Sequence, residues 1–166
     1  MGEEEVFVTA AVEGDLDETL LRRLVADLRL GLVAVHGRQG KQFLLRQLRG
    51  YNNAAQHSPW IVVVDLDGDC NCAPPCVEQW LPNPAPHMRL RLAVRAVEAW
   101  LLSDRERIAQ FLGARPNSVP SNPDELENPK RELVTLARGS RRRAIREELV
   151  PREGSGRQSA PCIRHG

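Results

Sequence analysis

The chain has 166 residues, enough for a domain with a sizeable core, and its 42% hydrophobic and 27% charged residues are ordinary for a globular protein. The net charge of +1 gives no general pull toward nucleic acid, and no apolar run approaches the length that spans a bilayer. The acidic start, MGEEEVFV, lacks the basic-then-apolar order of a secretory signal, so a cytoplasmic protein with no membrane attachment is expected.

The first predicted element is a strand over 5–12, EVFVTAAV, which is apolar and β-prone. Leu20, Leu21, Leu24, Val25 and Leu28 then recur at helical spacing within 16–30, with Asp15 or Asp17 available as a cap. GLVAVH (31–36) reads as a second strand and 42–55 as a second amphipathic helix, with the glycine-rich turn GRQGK between them. That turn fails the phosphate-loop pattern: no glycine stands five positions before Gly40, and Gln42 replaces the required Ser or Thr. WIVVVDL (60–66) is an unbroken apolar run, as expected of a strand buried on both faces in a parallel sheet. A Pro-rich segment with a short helix around CVEQWL leads to an alternating strand, MRLRLAV (88–94). One helix is predicted over 95–113, closed by Gly113, then a loop of turns, a helix beginning near Pro129, and a short helix over 141–149. Strand and helix alternate, so the expected class is α/β with a four-stranded, mainly parallel sheet flanked by helices.

Sites in such sheets form at the carboxyl ends of the strands. Glu13 ends the first strand, Lys41 follows the second, and Asp65, Asp67 and Asp69 follow the apolar run of the third. Alternation in an extended segment points Asp65 and Asp67 to one side. With Glu13 they would make a hard oxygen site suited to Mg²⁺ or Mn²⁺, whose charge compensates the clustered carboxylates. The bland reading is that a strand-end aspartate serves only as a turn residue.

Four spaced stretches, VEGDLDE (12–18), VVVDLDGDC (62–70), RAVEAWLLSD (95–104) and NPKREL (128–133), carry a resemblance. The chain resembles the Toprim-like domains, most closely a Toprim-like family of bacterial defence loci akin to the nuclease halves of OLD and RloB proteins. The resemblance covers residues 5–157. It implies a Toprim-like domain over 1–157 that carries out Mg²⁺-dependent phosphodiester chemistry on nucleic acid, as a nuclease. The alternative is a non-catalytic binding or regulatory subunit of an ATPase partner. Glu13 would be general acid/base or metal ligand, and Asp65 and Asp67 the metal-binding pair. Glu98 is a further acidic candidate and Lys130 a cation to steady phosphate charge. From its helical position alone, Glu98 reads equally as an ion-pair partner of Arg91 or Arg95. Relatives continue past GSGR differently, so the tail 158–166 is expected to be a truncated or frame-shifted ending.

Lys41 and Lys130 are the only lysines among 23 basic residues. The segment 138–152 concentrates arginine, and Arg141, Arg142 and Arg143, with Lys41, are the expected nucleic-acid contacts; a solvated helix face with Arg–Glu pairs is the competing reading. Cys70, Cys72 and Cys76 lie beside the acidic run, but CNCAPPC lacks paired C-x₂-C spacing. Zinc is therefore not favoured, even with His87 as a fourth ligand, and free thiols are expected rather than a disulfide.

Overall fold

A computed structural model describes residues 6–151, so the 158–166 tail lies outside the described residues. The chain divides into two compact units, Met1–Leu92 and Ala93–Gly166.

The first unit is built on β1 (Phe7–Val12), α1 (Asp15–Asp27), β2 (Gly31–Gly37), α2 (Lys41–Ala54), β3 (Trp60–Asp65), α3 (Ala73–Trp80) and β4 (Met88–Ala93). The strands form one parallel sheet in the order β2-β1-β3-β4. β1 is interior, with Ala11 opposite both His36 and Val62. Its small side chains suit that place: Ala10, Ala11 and Val12 are fully buried. Beside Thr9 and Ala11 the neighbouring strands carry Trp60 and His36. Trp60 stacks on Tyr51 of α2 at 5.1 Å and on His36 of β2 at 5.4 Å between centroids. Such stacks add about 0.5–1.5 kcal/mol beyond the area they bury.

β2 lies on one side of β1 and β3 on the other, so the chain steps from β1 out to β2 and then crosses back past β1 to β3. The right-handed crossover rule then sets α1 and α2 on opposite faces, and the crevice at the carboxyl ends of β1 and β3 is the topological switch point.

The second unit contains α4 (Val97–Ser103), α5 (Arg105–Leu112), α6 (Pro129–Arg138) and α7 (Arg143–Leu149), with short 3₁₀ turns at Pro116–Ser118 and Pro123–Glu125. Its core joins Leu102, Leu112, Val119, Leu133, Leu136, Ile145 and Leu149. Each such side chain contributes about 1.5–3 kcal/mol when fully buried. The single helix expected over 95–113 is two helices. Asp104 interrupts it with a ψ of 77° and caps α5, its carboxylate accepting a hydrogen bond from the Arg107 amide at 3.1 Å. Gly113 stops α5 in the left-handed region, as expected. Among the described residues, no helix is long and apolar enough to cross a membrane.

The β2–α2 turn is held to the end of β1 by backbone bonds, Arg38 N–H to the Val12 carbonyl at 2.9 Å and Gly40 N–H to the Glu13 carbonyl at 3.0 Å. Gly37 has a φ of +92°, and a Cβ there would meet the Val12 oxygen at 2.2 Å. Gly37→Ala is therefore expected to cost about 2 kcal/mol or more. Gly50, inside α2 with nothing within 4 Å of its would-be Cβ, is the opposite case. Gly50→Ala should stabilise by about 0.5–1 kcal/mol. Urea unfolding midpoints at constant m-value check both signs.

Candidate functional site

Glu13 directly follows β1, and its backbone is fixed by the Gly40 amide. Its half-buried carboxylate reaches the neighbouring strand end, where Oε2 accepts from the Asp65 amide at 3.4 Å. The Glu13 carboxylate thus meets the backbone of Asp65, 52 residues away, at the switch point. The strand order brings them there.

Asp67 departs from the expected arrangement. β3 ends at Asp65, and Asp67 has a φ of +50°. A left-handed residue breaks extended alternation, so the argument that set Asp65 and Asp67 on one side does not apply. Aspartate is among the few side chains that tolerate this region, and Asp67-Gly68 forms the turn. Asp67 turns instead to Lys41, the first residue of α2. The Lys41 ammonium donates to Asp67 Oδ2 at 2.5 Å and Asp69 Oδ2 at 2.9 Å, with the Leu66 carbonyl at 3.5 Å. The Trp80 ring centroid lies 6.0 Å away, at the outer reach of a cation–π contact. The clustered charge in this loop is met from within the chain, by an ammonium.

The lysine side chain is only 11% exposed, whereas those of Asp67 and Asp69 are 55% and 46% exposed. Burial alone would lower the lysine pKa. The hydrogen bonds and charges of Asp67 and Asp69 outweigh it and raise the pKa above the ordinary 10.5. Because the folded value is the higher one, the stabilisation is complete below pH 10.5 and is lost as pH rises through the raised value.

The acidic loop is also tied at its far end. Cys70 is joined to Cys76 of α3 by a disulfide, with Cα atoms 6.0 Å apart. This corrects the expectation of free thiols at both positions, and it removes two of the three sulfurs a zinc site would need. Cys72, at the N-cap of α3, is free and exposed.

Glu98 and Lys130 belong to the second unit. Glu98 is buried in the first turn of α4, 7% exposed, and Lys130 is exposed in the first turn of α6. The arginines divide. Arg142 donates to the Phe111 carbonyl at the end of α5 at 3.2 Å, and Arg143 pairs with Glu147 at 2.6 Å, one turn along α7. Arg141 lines a cleft in the same unit. Sequence reasoning named Lys41 for nucleic acid and missed its pairing with Asp67 and Asp69. The signal was present, since a carboxylate cluster demands a positive partner and lysine is rare in this chain.

Among the described residues, no three His, Cys, Asp or Glu side chains converge as a ready-made metal cage. Mg²⁺ is commonly held by only one or two carboxylates, with water and substrate phosphate completing the shell. Glu13 and Asp65 supply that donor chemistry; Asp67 is paired with Lys41. Comparison with family models, with curated proteins and with solved structures returns no match.

Two outcomes test this geometry. Lys41→Met should lower stability by about 1 kcal/mol at neutral pH, the scale of a partly exposed ion pair. Its difference from the parent chain should stay constant up to about pH 10 and narrow above it, read from denaturation midpoints across pH. Alkylation of the folded chain without reductant, followed by peptide mapping, should label Cys72 and leave Cys70 and Cys76 unlabelled until a reductant is added.

Proposed function

We propose that the chain is a Toprim-like domain that acts on nucleic-acid phosphodiesters with Mg²⁺ or Mn²⁺, cleaving them in a defence setting alongside an ATPase partner. One observation carries the reading: the Glu13 carboxylate lies against the Asp65 amide at the switch point of a parallel sheet, where α/β folds hold ligands. Glu13 and Asp65 would hold the ion, which when bound polarises a phosphodiester and lowers the pKa of a water. Glu13 is also the residue placed to take or return a proton at that edge. Lys41, engaged by Asp67 and Asp69, serves to hold the loop that follows Asp65. Asp67 is thereby a positioning residue rather than a metal ligand. Glu98 and Lys130 remain part of the proposal through the resemblance alone.

A second reading is a binding subunit that grips nucleic acid or an ATPase without cutting. It is favoured by the internal ammonium, which satisfies the two loop carboxylates with no ion at all.

Cleavage of single- and double-stranded DNA and RNA, with Mg²⁺ or Mn²⁺, separates the two. Nuclease action predicts a loss of about a hundredfold or more in Glu13→Gln and in Asp65→Asn. Asp67→Asn should act mainly on stability. Retained cleavage in Glu13→Gln sinks the proposed site. Metal-independent binding without cleavage of any of the four substrates selects the binding subunit.

A further inference from the structure

The second unit contains a cleft of about 510 Å³, bounded by the end of α5, the Pro116–Ser118 turn and the end of α6. This is within the volume range of small-molecule sites. Its lining includes two arginines, Arg115 and Arg141, two hydroxyl residues, Ser118 and Thr135, and the apolar Ala114 and Leu136. Among the described residues, no carboxylate lines it.

The neighbouring arginines have internal duties. Arg105 donates to the Val119 and Pro116 carbonyls, Arg142 to the Phe111 carbonyl, Arg143 to Glu147 and Arg146 to the Ser140 carbonyl. Among the described residues, the side chains of Arg115 and Arg141 have no such partner. Two positive groups on one concave surface repel each other unless an anion joins them.

The helix ends beside the cleft are partly offset. Carbonyls at the end of an α-helix carry partial negative charge. Here several of them are already engaged by protein donors. The Gly113 and Ala114 amides bond the Gln110 and Ala109 carbonyls, Arg142 covers that of Phe111, and the Gly139 amide reaches those of Thr135 and Leu136.

We infer that this cleft is a binding site for the phosphate of a single nucleotide unit, with Arg115 and Arg141 as its phosphate clamp and Ala114 and Leu136 as the apolar surface for the base or sugar. Guanidinium pairs suit phosphate because their planar donors match its oxygens. A compact concavity favours one nucleotide over a length of strand. The phosphate can belong to a free nucleotide or to the 5′ end of a strand. The site shares no residue with the Glu13–Asp65 edge, so it stands or fails separately from the proposed cleavage.

Calorimetric titration of the full chain tests it with four probes: AMP, adenosine, a 5′-phosphorylated dinucleotide and its 5′-hydroxyl counterpart. AMP should bind at least about tenfold tighter than adenosine. That preference should vanish in the Arg115→Gln/Arg141→Gln double variant. Both arginines are exposed, so the double variant should keep its melting temperature. A phosphate preference confined to the dinucleotide pair, and lost in the same variant, supports the site and assigns it to strand ends. No phosphate preference in either pair, or a preference that survives the double variant, overturns the inference.

Discussion

The contact on which the conformation of the acidic loop depends is the Lys41 ammonium between Asp67 and Asp69. It joins residues 26 and 28 positions apart. It works only because β1 lies between β2 and β3. The turn after β2 is pinned to the end of β1 by the Val12 and Glu13 carbonyls, and α2 begins at once with Lys41. The loop after β3 emerges on the other side of β1. An ammonium rooted near one flank therefore reaches carboxylates on the other, across the strand end that bears Glu13. Gly37 matters for the same reason, since no larger residue lets the turn approach the Val12 oxygen so closely.

Much of this was legible in the sequence, for reasons that particular residues make clear. The unbroken run WIVVVD marks a strand buried on both faces, and alternation of strands with amphipathic helices marks a parallel sheet. From there, Glu13 and Asp65 at the ends of adjacent strands follow from topology, and the Glu13 carboxylate meets the Asp65 amide. The alternation argument does not hold at Asp67 because it assumes extended backbone. The dipeptide Asp67-Gly68 was itself a turn signal, but the preceding apolar run masked it. The helix boundary at Asp104 was missed on similar grounds: the apolar periodicity of α4 continues into α5, and Asp104 was not taken as a cap.

The Cys70–Cys76 bond shows a different limit. Compartment reasoning decided against it, whereas the local fold favours it. Cys70 lies just beyond the acidic loop, and Cys76 sits fully buried on the first turns of α3. Once α3 forms and the loop curls toward Lys41, the two Cα atoms come within bridging distance. The arginine segment was likewise open on sequence grounds. Nothing in GSRRRAIREE distinguishes a guanidinium that closes a helix from one that faces a ligand. Only the positions of Phe111, Ser140 and Glu147 separate Arg142, Arg146 and Arg143 from Arg141.

The burial pattern at the acidic edge also says which parts are fixed and which can yield. The lysine is the nearly buried partner and its two aspartates are half in water. Moving a largely covered ammonium away from its partners leaves its charge less well compensated. Rotating a half-exposed carboxylate toward water costs little. An adjustment at this edge thus falls on the Asp67–Asp69 loop, with Lys41 staying in place. The loop is tethered by β3 before it and by Cys70 after it, so its motion is confined to a few residues. Glu13 and Asp65 stand outside that segment, anchored by the strands themselves. Groups on these strand ends inherit the rigidity of the sheet, while the loop beside them keeps more freedom.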